Sequence, residues 1–147
     1  MKKLLGVFAV LFISNVFSQK DPIQWKAAYY SQRDGLGYIE ITGTLEKGWH
    51  TYSSKITGDG PIPTSFTFQP ASFYKLEGNI QEIGAHEEYV AAFDMKLSLF
   101  SDKAVFRQGV RVPGEKRGKV KISVEYMCCN DNMCLPPKTI DLWVDIK

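Results

Sequence analysis

The three cysteines of this chain of 147 residues fall within seven positions, in the stretch "VEYMCCNDNMCLPPKT" at residues 124–139, and two of them are adjacent. Residues of this type at this spacing can perform thiol–disulfide exchange. That reaction needs an attacking thiolate, an accessible sulfur and a second thiol close enough to collapse the mixed disulfide. An odd count leaves one thiol over once an intramolecular bridge has formed. Side chains of successive strand residues point to opposite faces, so only one of Cys128 and Cys129 is able to partner Cys134. Such a bridge closes a loop of a few residues and removes little unfolded-state entropy, which makes a purely stabilising purpose weak. Pro136 and Pro137, which lack a backbone N–H, stiffen the chain directly after Cys134.

Two other readings compete. One is an ordinary hairpin staple in a non-catalytic secreted binding module. The other is a periplasmic Cu(I) site, because Met127 and Met133 interleave with the thiols and soft ligands suit that ion. Zinc fits less well, since no second ligand pair follows and both His50 and His86 would have to converge on the thiols. No Ser/His/Asp order or carboxylate pair points to hydrolysis.

The elements that must hold this turn are strands. In "KVKISVEY", Val120, Ile122, Val124 and Tyr126 share one face while Lys119, Lys121, Ser123 and Glu125 take the other. "TIDLWVDI" repeats the pattern, with Ile140, Leu142, Val144 and Ile146 inward and Trp143 outward. The cysteines therefore sit at the tip of a hairpin. Further strands are predicted over 25–32, 37–46, 49–54, 64–69, 73–77, 93–100 and 103–112, separated by turn signals such as "RDGLG", "EKGW" and "VPGEKRG". Nine short strands without a convincing helical period predict an all-β fold, an immunoglobulin-like antiparallel β-sandwich. Residues 80–93, "IQEIGAHEEYVAAF", read poorly as strand and are expected to form a long connection.

The first eighteen residues read as a signal peptide, with Lys2 and Lys3 as the basic region, an apolar run from Leu4 to Ile13 and small residues before a cleavage near Ser18. The apolar run is shorter than the ~20 residues of a spanning helix, so no direct membrane insertion is expected. Residues 19–147 are then predicted to form a single exported domain, a size that buries one core. Taking Lys2 and Lys3 from the 18 basic residues leaves 16 against 16 acidic ones. This balance gives no reason to expect a nucleic-acid partner.

The run Tyr126, two residues, Cys129, one residue, Asp131, then Cys134 with Leu135, Pro136 and Pro137 resembles the active-site hairpin of the N-terminal periplasmic domain of the thiol:disulfide interchange protein DsbD. "GTLEKGWHTYSS" is similar to the early strand pair of that family, and "AHEEYVAAFDMKLSLFSDKAVF" to its cap loop and following strands. The resemblance implies an immunoglobulin-like domain that relays reducing equivalents from a membrane-embedded thiol carrier to periplasmic thioredoxin-like proteins, such as those of cytochrome maturation. It implies Cys134 as the attacking thiolate and Cys129 as its partner. Cys128 stays open as the alternative, because Cys128 to Cys134 preserves the best-known family spacing while the Tyr-x-x-Cys-x-Asp register fits Cys129. Tyr89, with Phe93 as second choice, would be the cap aromatic. His50 and Tyr52 would line the site, with Asp131 and Glu88 as polar neighbours. No cofactor is implied, since two cysteines carry two electrons, and a monomeric protein is expected.

Overall fold

A computed structural model describes residues 20–114 and 116–147. The predicted signal peptide lies outside the described residues. Eleven strands run in chain order: β1 (Ile23–Ser31), β2 (Leu36–Leu45), β3 (His50–Tyr52), β4 (Ser65–Phe68), β5 (Lys75–Ile83), β6 (His86–Val90), β7 (Met95–Ser101), β8 (Lys103–Arg111), β9 (Gly118–Tyr126), β10 (Cys128–Cys129) and β11 (Lys138–Ile146). They form three antiparallel sheets, ordered β1-β2-β8-β5, β11-β9-β4 and β10-β3-β7-β6. The fold is an all-β, immunoglobulin-like antiparallel sandwich.

Alternation explains how the first two sheets meet. Ile39 and Ile41 of β2 and Phe106 and Val110 of β8 point inward and are fully buried. Facing them are Val120, Ile122 and Val124 of β9 and Val144 and Ile146 of β11, all in one apolar cluster. Each fully buried side chain of this size contributes ~1.5–3 kcal/mol relative to exposure. Trp25 of β1 reaches across to Phe66 of β4 and Tyr126 of β9, with ring centroids 6.4 and 5.4 Å apart. Trp143 points outward and is 56% exposed.

The third sheet is small, and it divides two environments. Thr51 pairs with Phe100 and with Cys128, and all three are buried, Phe100 and Cys128 within the main cluster. The residues one position along, Tyr52, Leu99 and Cys129, point the other way and build a second apolar cluster with Val90 and Leu97.

Residues 80–93 depart from the expected long connection. Lys75–Ile83 pairs with β8, and His86–Val90 pairs with β7. Both lie at sheet edges and are mostly exposed, so they carry no alternating apolar signal. Neighbouring strands supply the pairing that composition does not announce. A tight turn, Ala91–Asp94, joins β6 to β7, closed by bonds from Phe93 N–H to Val90 O and from Asp94 N–H to Ala91 O. Asp94 takes a left-handed conformation, φ 53°, which Asp tolerates better than most side chains.

Candidate functional site

The sulfur hairpin continues the β9–β11 ribbon. Lys138 and Tyr126 are paired at the ribbon's last rung, and the chain between them carries all three cysteines. Cys129 and Cys134 are bonded to each other and stand opposite one another in an isolated antiparallel bridge, with Cα atoms 4.0 Å apart. Hydrogen bonds that use no sulfur atom also shape this tip. Leu135 N–H donates to Cys128 O and Asn130 N–H to Met133 O, both at 2.9 Å. The Asn130 side chain accepts from the N–H groups of Asn132 and Met133, again at 2.9 Å, as Asn does in tight turns. Asn130 is thus a positioning residue that sequence reasoning passed over; its place between two cysteines in "CNDN" was the available signal.

Cys128 faces away from the pair. It is 2% exposed and lies in the main cluster, close to the Thr51 hydroxyl. Burial first, and the Asp21 carboxylate second, push its thiol up to about 12. The three thiols therefore do not converge on one point. Among the described residues, no group of three or more His, Cys, Asp or Glu side chains is arranged to hold a metal.

Cys129 is buried, and Cys134 is half-buried. Phe93, Met127, Met95 and Ile56 pack with the pair against Tyr52 and Leu99. Phe93 comes from the turn of the β6–β7 hairpin, and its ring meets Tyr52 edge to face at 6.1 Å and 89°. That hairpin, through Val90 and Phe93, forms a roof over the cluster that holds the disulfide. Tyr89 is placed differently. It pairs with Lys96 on the face of β6–β7 opposite the one that carries Val90 and Leu97, is 57% exposed, and its hydroxyl donates to the Asp94 carboxylate. Its contact holds the turn from outside, whereas Phe93 is the aromatic of that turn that packs on the cluster containing Cys129.

His50 lies directly across from Cys129 in the β3–β10 pair, and its Nε2 meets the Tyr52 hydroxyl at 3.1 Å. Burial lowers the His50 pKa, while Glu88 and Asp131 act to raise it and His86 to lower it further. Tyr52 is fully buried, and desolvation raises its pKa so that the phenol stays protonated. Glu88 shares the inner face of β6 with His86, and their side chains approach to 3.4 Å. Asp131 is exposed at the hairpin tip.

Two supports were not legible in the sequence. Glu82 accepts hydrogen bonds from both the Ser53 and Ser54 hydroxyls and from Ser54 N–H, fastening the end of β3 to the strand that leads into the roof. Asp21 accepts from the Tyr126 hydroxyl and from Lys138 Nζ, the latter at 2.7 Å, and so clamps both strands at the base of the sulfur hairpin. Burial acts to raise the Asp21 pKa, but Lys138, Tyr126 and the Ile23 N–H together hold it below the usual carboxylate range.

The family profile of the N-terminal region of thiol:disulfide interchange protein DsbD matches residues 19–143, a span that includes the hairpin disulfide. The chain belongs to the DsbD N-terminal family. Solved structures of that family share its fold. The N-terminal domain of DsbD from Neisseria meningitidis, in the reduced form, is similar with a TM-score of 0.52 at 18% identity over 80% of each chain. The complex of the DsbD and PilB N-terminal domains from the same organism matches with a TM-score of 0.52 at 12% identity, covering 81% of this chain and 80% of that one. The N-terminal periplasmic domain of ScsB from Proteus mirabilis matches with a TM-score of 0.53 at 14% identity, covering 82% of this chain and 44% of that one. A comparison with curated protein sequences returns no match.

Proposed function

We propose that this DsbD N-terminal family member is a periplasmic thiol–disulfide relay, receiving reducing equivalents from a membrane-embedded thiol carrier and passing them to thioredoxin-like proteins. The observation that carries this reading is the Cys129–Cys134 bond at a hairpin tip whose shape is set by backbone and Asn130 hydrogen bonds. Bond breaking there leaves the scaffold in place. Cys134, the more exposed sulfur, is the attacking thiolate, and buried Cys129 closes the bond and releases the partner. Phe93 shields the pair until a docking partner moves the β6–β7 turn. The protein works as one exported domain, monomeric, after cleavage near Ser18.

An equilibrium titration of the mature protein against a dithiol buffer, with peptide mapping of the bridge, tests this. A Cys129–Cys134 couple between about −180 and −270 mV places the protein among exchange proteins. A potential below about −300 mV marks a structural disulfide and ends the relay reading in favour of a binding module.

A further inference from the structure

The relay reading leaves one proton unassigned. When Cys129 closes the bond it must lose its thiol proton, yet it is 1% exposed and sits in an apolar cluster, where water is a poor acceptor. A free thiol in such surroundings is disfavoured as a thiolate, because burial penalises the charged form. A base within reach would lift that obstacle.

His50 is the side chain positioned for it. It is the residue directly opposite Cys129 in the β3–β10 pair, and side chains of such a pair stand ~4.5–5.5 Å apart at Cβ. The ring is half-buried and oriented by two contacts with Tyr52, an edge-to-face packing at 5.3 Å and 86° and the Nε2 to hydroxyl hydrogen bond. In the tautomer that donates Nε2–H to the Tyr52 oxygen, Nδ1 is left unprotonated and able to take a proton. Groups facing the ring from the surrounding elements are Tyr52 on β3, Cys129 on β10, Asp131 on the hairpin tip, and His86 and Glu88 on β6. The two carboxylates stabilise an imidazolium once it forms, while burial keeps the resting ring neutral.

We infer that His50 is the proton acceptor for the Cys129 thiol in the step that closes the Cys129–Cys134 bond. The inference rests on the exchange reading of the site. In the first step the Cys134 thiolate attacks the partner's disulfide, forming a mixed disulfide and releasing one partner thiolate. In the second, the Cys129 proton passes to His50 and the Cys129 sulfur bonds to the Cys134 sulfur. The bond from Cys134 to the partner breaks, and the departing partner sulfur takes the proton from the imidazolium. With the Cys134 proton, lost to solvent before the first step, returned by solvent to the first partner thiolate, two thiols of this protein are oxidised to one disulfide and the partner's disulfide is reduced to two thiols.

Reduced protein mixed with oxidised glutathione, quenched in acid and weighed intact, separates the two steps, because the glutathione adduct on Cys134 is the intermediate. For the wild type, the closing rate is expected to rise with pH through a single inflection below about pH 6.5, where the ring becomes neutral. In His50→Gln, adduct formation should hold its rate, closing should slow at least tenfold at pH 7, and the inflection should vanish. His50→Phe, which keeps the aromatic edge against Tyr52, should behave alike and serves if the glutamine variant does not fold. A wild-type closing rate with no inflection between pH 5 and 7.5 overturns the inference, as does either folded variant closing at the wild-type rate. Failure of the wild type to form or resolve the adduct at all overturns the relay reading, and this inference with it.

Discussion

Two apolar clusters lie on opposite faces of one small sheet, and adjacent cysteines enter different ones. Cys128 joins the large core that includes Phe100, Phe106 and the inward residues of β9 and β11. Cys129 joins a small cluster whose roof is a single hairpin turn and whose second sulfur, Cys134, is half-buried. Identical side chains one residue apart thus acquire opposite chemistries. Environment decides: the first thiol is raised out of its reactive range by burial, and the second is bonded to a partner at the edge of the fold.

The contrast gives predictions in falling order of effect. Cys134→Ser should abolish exchange with a disulfide substrate while costing about 2 kcal/mol of stability, the amount expected for so short a loop; urea denaturation of the oxidised wild type and the variant reads the second quantity. Residual exchange in this variant would move the chemistry to Cys128 and dissolve the distinction between the clusters. Phe106→Ala, in the large core, should cost ~3–5 kcal/mol in the same denaturation experiment. Phe93→Ala should cost only about 1 kcal/mol but, if its ring shields the pair as proposed, raise the rate of disulfide reduction by a small dithiol roughly tenfold. Equal stability losses at Phe93 and Phe106 would show that the roof is part of the main core.

Alkylation sharpens the cysteine comparison. With the pair reduced, native protein at pH 8 should accept iodoacetamide at Cys134 first and leave Cys128 unlabelled until urea is added. The smallest effect concerns the base of the hairpin. The folded pKa of Asp21 is depressed, so its stabilising contribution is present above the unfolded value and is lost as pH falls through the folded one. Asp21→Asn should therefore cost about 1 kcal/mol at pH 7, less its screening at the half-exposed Lys138; the difference should begin to shrink near about pH 4 and close only once pH is below the depressed folded pKa.

How much of this was readable in the chain follows from which physical signal each part emits. "KVKISVEY" and "TIDLWVDI" announce themselves because one face is buried; Val120, Ile122, Val124, Tyr126, Val144 and Ile146 all prove buried. Beyond the predicted 73–77, the rest of β5 emits no such signal, and neither does β6: Gln81, Glu87 and Glu88 lie at exposed edges, and only pairing with β8 and β7 makes these stretches strands. The same omission hid the orientation of Tyr89, because a face is assigned only once register is known. Alternation did show that Cys128 and Cys129 part company. Which of them meets Cys134 depends on the pairing of β10 with β3, a contact far apart in sequence. Glu82 and Asp21 were invisible for the same reason, as each works through partners brought close by folding.

The Asn130 turn carries a last consequence. Its hydrogen bonds span the tip alongside the sulfur–sulfur bond and need no sulfur atom, so the oxidised and reduced proteins are expected to present nearly the same outline to whatever docks there. On the relay reading proposed above, donor and acceptor would then be unable to tell a loaded carrier from an empty one by shape. Such a carrier would pass electrons either way, and its net direction would belong to the redox gradient between the proteins on either side of it.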